Sequence, residues 1–189
     1  MLRKLPIVCF SLALAACSPK ADLPKLFPVP DATLVADSGK PLKLASLKGN
    51  VTVYDFIFTN CASSCPMMTQ QMRELTTKID KDAPVRFVSI TVDPVHDTPA
   101  KLAQYAAQFR NDPRWTFLTT GDPASTVRLS VDGFKLAAES PAPGTEPLLH
   151  STKFAIADKN GIIREYYGST DGDAAEHVAK TVKQLLRED

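Results

Sequence analysis

The chain alternates between two hydrophobic patterns. Short runs rich in β-branched and aromatic residues occupy positions 51–58, 85–92 and 115–120, and a segment with apolar residues every three or four positions follows each run. Runs of the first kind are typical of buried strands, and the second spacing is typical of amphipathic helices. The middle of the chain is therefore predicted to be strand and helix in alternation.

Each predicted helix has a start signal and an apolar stripe. The start signals are Pro66, Thr98 with Pro99, Asp122 with Pro123, and Asp173 with Glu176, which resembles a capping box. The stripes are Met68, Met72, Leu75 and Ile79; Leu102, Tyr105, Ala106 and Phe109; Ala124, Val127 and Val131; and Ala175, Val178, Val182 and Leu185.

Two hairpins flank this alternation. Short apolar runs around a turn at 37–39 predict an N-terminal β-hairpin, and the Asn160-Gly161 turn between residues 154–157 and 162–167 is a strong hairpin signal. Between them, residues 137–149 are rich in proline and predict an exposed loop. The pattern as a whole predicts an α/β domain with a thioredoxin-like fold, in which helices flank a central mixed sheet and an N-terminal β-hairpin is added.

This topology brings distant polar residues to one edge. Cys61 and Cys65 follow the first strong strand, and Asp93 follows the second. In open α/β sheets, ligands bind beyond the carboxyl ends of parallel strands. If the strand that begins near Ser151 runs antiparallel to these two, its start lies on the same edge. His150 is then within reach of both cysteines.

Two thiolates and an imidazole suit a soft metal ion, and Cu(I) is a natural occupant of such a three-coordinate site. Cys65 stands at a predicted helix start, where the helix dipole favours a thiolate. Alternatives remain for each residue. The cysteine pair could form a structural disulfide, His150 could be an ordinary loop histidine, and Asp93 could serve only as a turn former.

Other candidate metal ligands have simpler explanations. Met68 and Met72 fit the core stripe of the first helix, whereas Met67 lies off that stripe and its role is open. His96 and His177 are predicted to be solvated, and His177 stands on a helix face beside Glu176.

The N-terminus predicts export. Arg3 and Lys4 precede an apolar segment of 12 residues, which is shorter than the roughly 20 needed to span a bilayer. We predict a signal peptide at 1–16, a flexible proline-rich tether at 17–30 and the functional domain at 31–189. The ending Leu-Ala-Ala-Cys resembles a bacterial lipoprotein signal with Cys17 as the acylated residue. The alternative is an ordinary signal with Cys17 incidental.

Charge excludes one class of partner. Without the predicted signal peptide, the chain has 20 basic and 21 acidic residues, and it contains no run of basic residues. Nucleic acid is therefore not an expected partner.

The sequence resembles the Sco/SenC family of copper chaperones for cytochrome c oxidase from about residue 27 to 186. The resemblance is carried by Cys61-Ala-Ser-Ser-Cys65-Pro66, by Thr91-Val92-Asp93-Pro94 with Asp97-Thr98-Pro99, and by His150-Ser151 leading into residues 154–161. It implies copper ligation by Cys61, Cys65 and His150, with Asp93 influencing the site.

The resemblance implies a metallochaperone, rather than an established type of enzyme, that assists assembly of the CuA centre in oxidase subunit II. The expected cargo is Cu(I), with Cu(II) as a second state. The expected place is the periplasmic face of a bacterial membrane, anchored through Cys17, with a thioredoxin-like protein as reductant. The alternative is a thiol-disulfide oxidoreductase acting on exported proteins, which would need no histidine. A thiol peroxidase fits least, because the flanking pattern of that class is missing.

Overall fold

A computed structural model describes residues 22–60, 65–138 and 150–188, in which eight strands form one mixed sheet and four α-helices flank it. The predicted α/β thioredoxin-like fold is confirmed. The strands are β1 (Phe27–Pro28), β2 (Thr33–Ala36), β3 (Pro41–Lys43), β4 (Val51–Ile57), β5 (Val85–Thr91), β6 (Trp115–Thr119), β7 (Lys153–Ala157) and β8 (Ile162–Gly168). The helices are α1 (Cys65–Lys78), α2 (Pro99–Phe109), α3 (Pro123–Arg128) and α4 (Ala174–Leu185).

The sheet order is β1-β8-β7-β4-β5-β6-β2-β3. Strands β4, β5 and β6 are parallel, β7 is antiparallel to β4, and β2 pairs antiparallel with both β3 and β6. The carboxyl ends of β4 and β5 therefore meet the amino end of β7 at one edge of the sheet. The two predicted hairpins, β2 with β3 and β7 with β8, are also present.

Helices α1, α2 and α4 cover one face of the sheet. The hydroxyl groups of Thr69 on α1 and Tyr105 on α2 lie 2.8 Å apart, and Gln71 on α1 accepts a hydrogen bond from the backbone of Ala175 on α4. On the opposite face, the rings of Tyr54 and Phe56 contact Phe134, which follows α3. Strand β4 is buried along its whole length because both faces are covered.

The predicted stripe of α1 is confirmed, since Met68, Met72, Leu75 and Ile79 are all buried. The cap of α2 is also present, because the side chain of Thr98 accepts a hydrogen bond from the backbone N–H of Lys101.

The inward face of α3 was predicted wrongly. Ala124 and Val131 are exposed, and the buried residues of this segment include Thr126 and Leu129. The helix widens into a π-helical turn at Leu129–Gly133, and this turn changes the phase of the side chains relative to a regular helix.

Two predictions at the start of α4 were also wrong. The side chain of Asp173 makes no capping bond and instead accepts a hydrogen bond from the Tyr167 hydroxyl. His177 is only partly exposed, with its Nε2 2.7 Å from the Glu165 carboxylate and its ring stacked on Tyr167. The neighbouring strand β8 supplies these partners, which the helical pattern does not reveal.

Part of the predicted tether lies on the folded domain. Strand β1 pairs with β8, and the buried guanidinium of Arg164 donates to the carbonyl groups of Leu23 and Pro24. The same guanidinium contacts the carboxylates of Asp158 and Glu188. The ordered domain therefore includes residues from about 23 onwards, because Arg164 offers donors that those carbonyl groups accept.

Residues 1–21, with the predicted signal peptide and Cys17, lie outside the described residues, as do 61–64 and 139–149. None of the helices described in the rest of the chain is both long and apolar enough to cross a bilayer.

Candidate metal centre

The candidate centre lies where β4 gives way to α1. The strand ends at Ile57, and the helix begins at Cys65 with Pro66 in its first turn, as the sequence predicts. Cys61 stands in the loop between them and lies outside the described residues. Cys65 is 1% exposed. Its place at the helix start favours a thiolate through the helix dipole, although burial opposes ionisation.

His150 returns to this sulfur from the second half of the chain. Its Nε2 lies 3.3 Å from the Sγ of Cys65, across 85 positions of sequence. The position follows from topology, because His150 precedes β7 and β7 runs antiparallel to β4. The structure therefore places His150 beside Cys65, as the predicted strand direction requires.

Several contacts hold the imidazole in place. His150 forms an antiparallel bridge with Ala138, and its ring meets the ring of Phe58 edge to face at 5.6 Å. Its Nδ1 lies 3.1 Å from the carbonyl oxygen of Ser151, so Nδ1–H donates there and Nε2 presents its lone pair to the sulfur. A backbone bond from Ser151 N–H to the Ala137 carbonyl oxygen closes the same bridge.

Burial lowers the pKa of His150, an effect that the Ser151 carbonyl partly opposes. The imidazole is therefore neutral at neutral pH, which is the form that binds metals. Binding of a metal ion by this imidazole would therefore not require the loss of a proton near neutral pH.

The Cys65 and His150 atoms fit a shared metal ion. A sulfur and a nitrogen bound to one ion at about 2.3 and 2.1 Å lie roughly 3.6 to 3.8 Å apart. The Sγ and Nε2 atoms, now 3.3 Å apart, would need to separate by about half an ångström or less to hold such an ion. In the described part of the chain, no cluster of three histidine, cysteine or acidic side chains is placed to hold a metal, and Cys61, the other predicted sulfur ligand, lies outside that part.

Asp97 is a positioning residue that the sequence analysis missed. It is fully buried, and its carboxylate accepts hydrogen bonds from the backbone N–H and the hydroxyl of Thr59 at 2.9 and 2.5 Å. It also accepts one from the Thr91 hydroxyl at 2.5 Å. Asp97 thus ties the start of the cysteine loop to the end of β5. The only signal in the sequence is a carboxylate at the site edge beside the helix start Thr98-Pro99, and that signal does not indicate burial.

Asp93 lies in the neighbouring turn. Its carboxylate accepts a hydrogen bond from the backbone of His96 and lies 2.8 Å from the Nδ1 of the same residue. Its backbone N–H donates to Thr91. These contacts are those of a turn former, one of the two roles predicted for it. The His96 side chain is 74% exposed, in agreement with the prediction of a solvated residue.

The methionines divide as predicted. Met68 and Met72 are fully buried in the core, whereas Met67 is 51% exposed beside the cysteine loop. The two core methionines therefore lie on the buried face of α1 and serve packing.

The fold and the site define a class of protein. It is a thioredoxin-like domain with two cysteines in the sequence between a central strand and the first turn of the next helix, in which a distant histidine lies beside the second cysteine. The family model described as SCO1/SenC matches residues 28–187. The chain therefore belongs to the SCO1/SenC family.

Three solved structures are similar to this chain. A SCO1/SenC family lipoprotein from Bacillus anthracis is 31% identical, with a TM-score of 0.76 over 85% of this chain and 96% of the other. BsSco, described as a member of the Sco family of cytochrome c oxidase assembly proteins with a disulfide switch, is 29% identical, with a TM-score of 0.77 over 89% and 98%. Bradyrhizobium japonicum ScoI, solved with copper bound, is 27% identical, with a TM-score of 0.71 over 84% and 99%.

Proposed function

We propose that this protein binds one copper ion through Cys61, Cys65 and His150 and delivers it to the CuA centre of cytochrome c oxidase subunit II. The observation that carries the proposal is the 3.3 Å approach of His150 Nε2 to Cys65 Sγ. The resemblance to ScoI with copper bound and to BsSco, an oxidase assembly protein, supports the same conclusion.

The donor set favours Cu(I) as cargo. Thiolates are soft ligands that select Cu(I), and a neutral imidazole also suits copper. Cys65 is buried and His150 is half-buried, so the site limits access of water to the ion. Cu(II) is a second state that the nitrogen ligand would support.

We propose further that the domain works at the periplasmic face of a bacterial membrane, held by a lipid on Cys17. The signal-like leader supports export, and the similar protein from Bacillus anthracis is described as a lipoprotein. The domain itself holds the chain from about residue 23, so the lipid on Cys17 would lie close in sequence to the folded part.

The cysteines must be reduced before copper binds, because a disulfide offers no thiolate. We propose that a periplasmic thioredoxin-like protein supplies the electrons. The disulfide switch described for BsSco supports a redox-active pair here.

A thiol-disulfide oxidoreductase is the second candidate function. The observation that favours it is the placement of Cys65 at the start of α1, where a thiolate is stabilised. That activity would not require His150.

Copper titration of the reduced domain separates the two candidates. We expect the wild type to bind one Cu(I), and His150→Ala to weaken binding by at least about tenfold while disulfide formation is kept, because one of three ligands is lost. His177→Ala is the matched control and should bind copper like the wild type. Equal Cu(I) affinity in the wild type and His150→Ala would instead support the oxidoreductase.

Delivery needs its own measurement. The copper-loaded protein is mixed with the apo CuA domain of a subunit II, and the absorption of the CuA centre is followed. We expect absorption to appear with the wild type and not with Cys65→Ser. Copper binding without any transfer would contradict the delivery role.

A further inference from the structure

Asp55 is the one buried carboxyl in the described chain whose oxygen atoms both lack a hydrogen bond. It is 0% exposed, in the middle of β4. The other fully or nearly fully buried carboxylates have partners: Asp97 has the hydroxyls of Thr59 and Thr91, Asp112 has Arg114, and Asp158 has Arg164. A buried carboxyl without partners is unfavourable when charged, and such groups call for an explanation.

Asp55 points to the side of the sheet that α1 covers. Its neighbours Tyr54 and Phe56 contact Phe134 on the opposite side, and successive strand residues alternate between faces. Directly across on β5 is Ser89, whose hydroxyl accepts a hydrogen bond from the indole of Trp115. Asp55 therefore lies on the face of the sheet that is covered by α1, the helix that begins with Cys65, together with α2 and α4.

Few charged groups share this environment. The residues of β4 and β7 beside it are apolar, and Ser89 on β5 does not titrate in this range. Burial raises the pKa of Asp55 to about 7, an effect that Ser89 partly opposes. The titratable or charged residues on this side of the sheet include Cys65 on α1, Asp97 before α2, Tyr105 on α2, Glu165 on β8 with His177 on α4, and Arg114, which is paired with Asp112 and lies over Phe87.

Asp55 is also close to the cysteine loop. It lies two residues before the end of β4 at Ile57, about 7 Å along the strand, and its side of the sheet is the one that α1, beginning at Cys65, covers. Two unit charges about 10 Å apart in a protein interior change an acid dissociation constant on the order of tenfold. A negative charge on the sulfurs and one on Asp55 therefore disfavour each other.

We propose that Asp55 is a positioning residue that holds a proton for the cysteine pair: it is neutral when the sulfurs carry negative charge and ionised when they form a disulfide. The inference rests on the proposed function, because it assumes that Cys61 and Cys65 alternate between disulfide and thiolate.

The redox step balances with a dithiol as reductant. The disulfide bond breaks, the dithiol is oxidised to its own disulfide, and two electrons and two protons pass to the protein. One proton stays on one sulfur, the other sulfur remains a thiolate, and the second proton moves to the Asp55 carboxylate. The protein and reductant carry one negative charge in total before and after.

Infrared difference spectroscopy tests this on the wild-type domain. The disulfide form is reduced with dithiothreitol at about pH 7.5, slightly above the value that burial gives Asp55. We expect a carbonyl band of a protonated carboxylic acid to appear on reduction and to be absent in Asp55→Asn. An unchanged carbonyl region in the wild type would overturn the proposal without depending on whether the variant folds.

Alkylation of the reduced cysteines by iodoacetamide gives a second readout. In the wild type, the alkylation rate should rise with pH in more than one step, because Asp55 ionises in the same range as the cysteines. In Asp55→Asn the profile should follow a single ionisation, with a rate on the order of tenfold higher near pH 8. Asp82→Asn, which removes an exposed carboxylate, should behave like the wild type. Superimposable profiles for the wild type and Asp55→Asn would overturn the proposal.

The two hypotheses fail in different ways. Loss of Cu(I) binding in the titration above would contradict the copper function, yet it would leave the infrared band and the alkylation profile as measures of Asp55. Intact Cu(I) binding with no response from Asp55 would contradict only the role given to Asp55.

Discussion

Two buried carboxyl groups near the cysteine loop differ in what surrounds them. Asp97 has three donors from Thr59 and Thr91, whereas neither oxygen of Asp55 has a hydrogen bond of normal length among the described residues, and Ser89 offsets its burial only in part. Donors favour the charged form of a carboxyl, and burial without donors favours the neutral form. Asp97 is therefore suited to hold the cysteine loop as a carboxylate, and Asp55 is suited to carry a proton.

We expect Asp97→Asn to destabilise the protein by about 2 kcal/mol, because hydrogen bonds to a charged acceptor are replaced by weaker ones in a buried position. Denaturation with urea measures this change. Asp93→Asn is the control, since its carboxylate bonds only within its own turn in the described structure, and it should cost much less. Equal losses in the two variants would contradict the role given to Asp97.

Because Asp55 is buried, we expect the stability of the protein to fall as pH rises. Its pKa is about 7 in the folded protein and 3.8 in the unfolded chain, so only the unfolded chain ionises between these values. The free energy of unfolding should therefore fall as pH rises from about 4 to 7, by up to about 4 kcal/mol, and stay level above that range. Below pH 4, Asp55 is protonated in both states and should add nothing to the change of the unfolding free energy with pH.

Asp55→Asn is the comparison that isolates this effect. The difference in unfolding free energy between wild type and variant should change across the same interval, as measured by urea denaturation at a series of pH values. A difference that is constant with pH would show that Asp55 does not ionise in this way.

At the scale of elements, two helix starts that look alike in the sequence differ in the structure. Thr98 accepts a bond from the first turn of α2, whereas Asp173 directs its carboxylate to Tyr167. In α4 the first-turn N–H of Ala175 donates instead to the Gln71 side chain on α1. Helix α4 is also held by its buried face, which includes Val178, Val182 and Leu185. Tertiary packing can replace a cap when the apolar face is long enough.

We expect Thr98→Ala to destabilise the protein by about 1 kcal/mol, as is usual for loss of an N-cap. Asp173→Ala should cost less than half as much, because its exposed bond to Tyr167 does not satisfy a backbone N–H of the helix. Thermal or urea unfolding of the two variants measures the difference. A larger loss for Asp173→Ala would mean that it caps α4 in solution.

At the scale of the whole molecule, Arg164 joins the two ends of the domain. Its buried guanidinium contacts Asp158 and Glu188, and it donates to the carbonyl groups of Leu23 and Pro24. The side chain of Arg164, on β8, thus connects the segment at Leu23 and Pro24 to Glu188, which follows α4.

We expect Arg164→Met to destabilise the protein by roughly 3–5 kcal/mol, because it leaves buried carboxylate charge without its partner. Residues 23–28 should also lose protection from amide hydrogen exchange. Arg128→Met, at an exposed position on α3, should change neither property. Unchanged exchange at residues 23–28 in Arg164→Met would contradict the proposed link.

The main features of the fold could be predicted because they are local. The runs at 51–58 and 85–92 and the stripe from Met68 to Ile79 have the periods of strand and helix, and the observed elements follow them closely. The errors fall where tertiary partners decide: the π-helical turn after α3, the diverted Asp173 and the N-terminal segment on Arg164.

The order of elements, the place of the cysteine loop and the edge at which His150 returns all follow from the pattern of the chain, because hydrophobic period and strand direction can be read from it. The packed fold was needed to show that the imidazole nitrogen meets the Cys65 sulfur, that Asp97 binds the loop and that neither oxygen of Asp55 has a hydrogen bond. These outcomes depend on distances between residues far apart in the chain, and such distances are set by how the layers pack.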